Sequence, residues 1–122
     1  CDYMARMGTL GKPGGKKKIN KFEQKIYNIL TELNIEFIPQ YRVCRNVFDA
    51  YLPIYNILLE FDGQFYHKHT LEECIYKFQI VTYHTDIKKT ALASKSGFAL
   101  IRIPDTLAID QIVHILEEIK HE

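Results

Sequence analysis

The chain has 122 residues, 47% of them hydrophobic and 25% charged, with a formal net charge of +1. That is enough for one domain with its own core, and the profile is that of an ordinary globular protein rather than a disordered or fibrous one. No apolar run approaches the roughly 20 residues that span a bilayer, no secretory signal pattern is present, and so small a net charge does not by itself announce a nucleic-acid partner.

Taken in chain order, the opening stretch "GTLGKPGGKKKIN" gathers Lys12, Lys16, Lys17 and Lys18 among glycines and a proline. Residues 1–18 therefore read as a basic arm or linker that cannot build core. A solubilising tail and a phosphate-contacting arm are equally compatible with it. The start at Cys1 rather than Met is compatible with a piece of a longer protein. Cys1, Cys44 and Cys74 form no CxxC pair, which points to a reducing, cytoplasmic setting and away from a zinc ribbon.

The folded domain is expected over residues 19–122. In "INKFEQKIYNILTELN", Phe22, Ile26, Ile29, Leu30 and Leu33 recur at helical spacing behind Asn20, a cap residue. "IEFIPQYRVC" is extended but interrupted by Pro39, as an edge strand is. "NVFDAYLP" and "YNILLEFDG" read as two strands joined in a hairpin at residues 53–56. Between 70 and 95, Leu71, Ile75, Phe78, Ile87 and Leu92 predict one long helix or two short ones, ending near Gly97. "FALIRIP" reads as a short buried strand. "DTLAIDQIVHILEEIK" reads as a final helix with Leu107, Ile112, Ile115, Leu116 and Ile119 inward. The order α-β-β-β-α-β-α predicts a mixed α/β domain, with helices packed on a central sheet.

The hairpin carries the chemistry. Alternation puts Asn56, Leu58, Glu60 and Asp62 on one strand face and Ile57, Leu59 and Phe61 on the other. A tight turn centred on Ile54 and Tyr55 makes Tyr51 oppose Leu58 and Asp49 oppose Glu60. Like charges at directly opposed positions repel, so a cluster of Asp49, Glu60 and Asp62 calls for a neutralising cation or for protonation. Oxygen ligands of this kind favour Mg²⁺, with Mn²⁺ as a substitute, and phosphate is the usual further partner of such an ion. His67 follows the strand end, and an imidazole titrating near ~6.5 can take a proton from an attacking water. Asp86, on the next helix, could orient that imidazole. Glu23, beside Phe22 on the first helix, could reach the same cluster. Each residue also has an ordinary reading. Asp49 alone fits a turn, Glu60 a solvent-facing strand position, and His67 and His69 a surface loop. Asp86 and Glu23 fit helix-surface acids paired with neighbouring lysines.

With an acid, ten intervening residues and then Glu-x-Asp, "FDAYLP…LLEFDG" resembles the core of the PD-(D/E)xK nuclease superfamily. Asp49 followed eighteen residues later by His67, within "DGQFYH", is similar to the very-short-patch-repair (Vsr) endonucleases and to the EDxHD homing endonucleases. The resemblance spans roughly residues 19–104. It implies a restriction-endonuclease-like, Vsr-like fold, with Glu23 as the helix acid, Asp49 as the main metal ligand and the Phe61 carbonyl as a second. It also implies His67 as general base and Asp86 as its supporting acid. The superfamily's lysine falls on Asp62. The repair enzymes' structural zinc site cannot be built from these cysteines, so mismatch repair does not transfer.

The resulting expectation is a Mg²⁺-dependent endonuclease acting on double-stranded DNA, the cleavage module of a phage or mobile-element homing endonuclease. Glu23, Asp49, His67 and Asp86 are its catalytic residues, with Asp49, Glu60 and Asp62 toward the metal. Lys16, Lys17, Lys18, Lys68, His69 and Arg102 are DNA-contact candidates. One site cuts one strand, so a homodimer is a natural partner, with further DNA-binding segments outside this chain. Two alternatives stand beside it: a junction- or flap-cutting resolvase on the same core, and a degenerate nuclease fold kept only for binding.

Overall fold

The computed structural model describes residues 19–63, 68 and 70–121. The basic arm, His67 and His69 lie outside the described residues. The order is α1 (Lys21–Glu32), β1 (Ile38–Val43), β2 (Asn46–Leu52), β3 (Ile57–Asp62), α2 (Lys77–Lys95), β4 (Ala99–Pro104) and α3 (Ile109–Lys120), with a single 3-10 turn at Leu71–Glu73 before α2. One four-stranded sheet runs β1-β2-β3-β4. The first three strands are antiparallel neighbours and β4 lies parallel to β3. The expected mixed α/β architecture is what the chain adopts. Among the described residues no helix is long and apolar enough to cross a membrane.

Two apolar layers sandwich the sheet. On one face Leu52, Ile57, Leu59, Phe61 and Ile103 pack against Ile26 and Leu30 of α1 and Ile112, Leu116 and Ile119 of α3. The 3.6-residue spacing of these helix positions puts each set on one side of its helix, as the sequence requires. On the other face Tyr41, Val43, Phe48 and Leu58 pack with Phe98 and with Ala93 of α2. Asn20 caps α1 by accepting from the Glu23 amide at 2.9 Å. At the other end of the next helix Gly97, at φ 87°, turns the chain out of α2.

The hairpin register agrees with the turn argument: Leu52 pairs with Ile57, Tyr51 with Leu58 and Ala50 with Leu59. Pro39 sits in β1, an edge strand, where a missing N–H is tolerated. Two expectations need correction. Strand β4 is also an edge, and of its six residues only Ile103 is fully buried. In α2, Gln79 and Ala93 are the buried residues, whereas Phe78 and Ile87 are exposed, as are Leu71 and Ile75 ahead of the helix. The helix meets the sheet through small and polar side chains, which no apolar periodicity can announce.

Candidate active site

The site forms where the β2–β3 ladder stops. Beyond the Ala50–Leu59 pair, side chains replace the backbone bonds. The Asp49 amide donates to Glu60 Oε1 at 3.1 Å, and the Phe61 amide donates to Asp49 Oδ2 at 2.7 Å. Each acid is thereby anchored by the main chain of the facing strand. Tyr27 reaches over from α1, its hydroxyl donating to the Asp49 carbonyl at 2.6 Å.

The strands are wrenched at the same level. The β1–β2 ladder pairs Pro39 with Ala50 and Tyr41 with Phe48, and Gln40 faces Asp49 between them. Gln40 has a φ of 49°, a left-handed conformation that costs a non-glycine residue about 1–2 kcal/mol. Ile38 and Tyr41, three residues apart, consequently share one face, as do Phe48 and Tyr51. The inversion of alternation around Asp49 is what seats a buried carboxylate between two apolar layers.

Glu23, Asp49 and Glu60 are 1%, 5% and 4% exposed, values that only strong local compensation makes tolerable for acids. For Glu60 part of that compensation is Lys89 of α2, whose ammonium donates to Glu60 Oε2 at 2.9 Å and to the Val47 carbonyl at 2.6 Å. The same ammonium lies 4.8 Å from the centre of the Phe48 ring. Burial and then the charge of Asp49 push the Glu60 carboxyl up to about 7, against the opposing pull of Lys89 and Arg102. Burial also pushes the Tyr27 hydroxyl above its ordinary range, with Asp49, Glu23 and Glu60 adding to it, so Tyr27 stays a donor.

Asp62 is handled differently. Arg102 of β4 sets Nη1 3.3 Å from Asp62 Oδ1 and 3.8 Å from Asp86 Oδ1, while Nη2 donates to the Asp86 carbonyl and to Thr90 Oγ1. Two adjoining cavities result. One, of about 180 Å³, is lined by Asp49, Glu60, Phe61, Thr82, Thr85, Asp86 and Lys89. The other, of about 610 Å³, includes Asp62, Lys68, Asp86 and Arg102 in its walls.

Of the expected residues, Asp49, Glu60 and Asp86 thus share one cavity, and Glu23 is buried on α1. Asp62 and Lys68 belong to the neighbouring one. Arg102 is engaged with two acids and a threonine, and Lys16, Lys17, Lys18, His67 and His69 fall outside the described residues. Among the described residues no three His, Cys, Asp or Glu side chains converge tightly enough to hold a metal between them. The ligand trio Asp49, Glu60 and Asp62 is therefore not assembled, because Arg102 draws Asp62 toward α2 and β4. A partly hydrated Mg²⁺ needs only one or two carboxylates, since it keeps several waters. Asp49 and either Glu60 or Asp86 would supply them.

Lys89, Tyr27 and Gln40 were not singled out by the motif reading. For Lys89 a signal existed: a buried glutamate on β3 demands a cation, and Lys89 shares an inward helical face with Asp86 and Ala93. The left-handed Gln40 left no trace in the sequence. Comparison of the chain with models of known protein families found no match, and neither did comparison with curated proteins.

Proposed function

We propose that this chain is the catalytic domain of a metal-dependent endonuclease that hydrolyses phosphodiester bonds in DNA. The observation that carries the reading is the pair Asp49 and Glu60. Both are buried, both are fixed by backbone amides at the end of the β2–β3 ladder, and Lys89 stands beside them. Two adjacent buried carboxylates repel each other and must be desolvated, a cost that satisfying two strand amides does not require, since backbone carbonyls ordinarily do so.

A Mg²⁺ ion held by Asp49 with Glu60 or Asp86 would supply Lewis-acid polarisation of the scissile phosphate. The chain's own groups do the rest. The Phe61 amide orients the Asp49 carboxylate. Lys89 holds Glu60 in place and contributes a positive charge near the phosphate oxygens. His67 takes the proton from the attacking water, and Asp86 steadies that imidazole. Tyr27 braces the Asp49 carbonyl from the α1 side, and Glu23 is the acid that α1 contributes. Arg102 and Lys68 line the approach, and the lysines at 16, 17 and 18 add phosphate contacts that position DNA without reading its sequence.

The test is conversion of supercoiled plasmid in Mg²⁺ or Mn²⁺ by the native chain, Asp49→Asn and His67→Ala. Asparagine keeps an oxygen for the Phe61 amide, so the first variant separates metal binding from strand anchoring. Nicking by the native chain, reduced at least about 100-fold in both variants, is expected. No nicking in Mn²⁺ at high enzyme concentration, together with no Mg²⁺ or Mn²⁺ binding by calorimetry, refutes the reading in favour of a binding-only fold.

A further inference from the structure

The larger cavity adjoins the carboxylate pair, and its apolar wall has no part in the chemistry so far described. Asp86 lines both spaces, so whatever fills the 610 Å³ cavity lies directly beside the carboxylates of the smaller one. Its volume falls in the range of about 300–1,000 Å³ typical of small-molecule pockets, too confined for a duplex but ample for one nucleotide.

Its walls divide in two. Tyr83, Ile87 and Ala91 of α2, with Pro104 at the end of β4, form an aromatic and aliphatic side. Asp62 and Arg102 form a polar end, with the guanidinium 3.3 Å from the carboxylate. An apolar slot with a ring in it and an acceptor–donor pair at its end matches a nucleobase, which presents flat faces to a wall and N–H and carbonyl groups at its edge. Two carboxylates, Asp62 and Asp86, and two cations, Lys68 and Arg102, line the same cavity, so its charge does not select a free anion, whereas its apolar wall suits the flat face of a base.

From these observations we infer that the cavity between α2 and β4 takes up one unpaired nucleobase next to the bond to be cut, so that the preferred substrate is DNA with an extrahelical or single-stranded nucleotide rather than continuous duplex. The inference rests on the endonuclease reading and adds a substrate class to it. A base stacked in a duplex cannot enter such a slot, and extrusion costs least where the base is already unpaired.

The experiment compares two otherwise identical duplexes, one with a bulged deoxyguanosine and one with an abasic residue at the bulge. Binding is followed by fluorescence anisotropy in EDTA, where no cleavage occurs. The native chain is expected to bind the base-bearing bulge at least about fivefold more tightly, the low end of what stacking one base contributes. Ala91→Phe, which fills the slot, and Tyr83→Ala, which removes its ring, should both shrink that ratio toward one, with folding checked by thermal melting. Equal affinity of the native chain for the two duplexes overturns the inference, as does a ratio unchanged in both variants. If the chain nicks plasmid yet shows equal affinity, only the base slot falls. If it neither nicks plasmid nor binds either duplex, the endonuclease reading falls with it.

Discussion

Replacing Glu60 by glutamine removes one buried charge and keeps the side-chain shape. In the native chain, the Glu60 carboxyl titrates near 7 in the fold against 4.5 for an ordinary glutamate. A raised acid contributes stability that is fully present below its unfolded value and is lost as pH rises through its folded value. Between about pH 5 and about pH 8 the loss from this one group is on the order of 2–3 kcal/mol, because the unfolded chain releases the proton at 4.5 and the folded chain retains it until about 7. Glutamine does not titrate, so Glu60→Gln escapes that loss. It has its own cost, since its amide nitrogen must face either the Asp49 N–H or the Lys89 ammonium, each a donor to Glu60. That cost, about 1–3 kcal/mol, applies across the whole pH range. The two effects separate when urea denaturation of both proteins is followed in EDTA at several pH values. The variant should start less stable at about pH 5 and close or reverse the gap by about pH 8, the difference between the two proteins shifting by roughly 2–3 kcal/mol. Parallel stability curves would show that Glu60 is ionised throughout, and the account of its environment would be wrong.

Lys89→Met leaves the aliphatic stem over Phe48 but removes the ammonium from Glu60 and from the Val47 carbonyl. Breaking a buried pair from one side costs about 3–5 kcal/mol, and the low end is expected because Glu60 can take a proton instead. The Glu60 titration, followed by carbon-13 NMR, should move upward from its native position. Added to Glu60→Gln, the substitution should cost clearly less than the two single losses summed, because both remove the same contact. Gly97→Ala tests a different region: its φ is 87°, and an added Cβ meets nothing within 4 Å. The penalty is therefore backbone strain alone, about 1 kcal/mol, read as a lower urea midpoint at an unchanged slope.

The parts of this fold legible in the sequence are those where a local rule has one solution. The four residues Pro53–Asn56 leave a hairpin one register, and the observed pairs follow it. Helices α1 and α3 have a single apolar stripe each, and their buried residues lie on it. Pro39 marked an edge. Helix α2 was legible as a helix but not in which side it buries, because Phe78 and Ile87 are exposed, whereas the inward side is built from Gln79, Asp86, Lys89 and Ala93. The acids were legible for the same reason as the register. Their division into two cavities was not, because it depends on Lys89 and Arg102, which stand 29 and 40 residues along the chain from Glu60 and Asp62. Long-range ion pairing leaves no periodic mark.

The strand order has a last consequence. Asp49 and Glu60 belong to the two inner strands, while the outer positions fall to β1 and β4. Proline at 39 blunts the β1 side, but β4 offers a half-exposed margin of backbone amides and carbonyls. Asp49 and Glu60 thus each stand on a strand paired on both sides, and what changes along the outer margin of β4 reaches them chiefly through Arg102, the one side chain of that strand tied to the neighbouring acids.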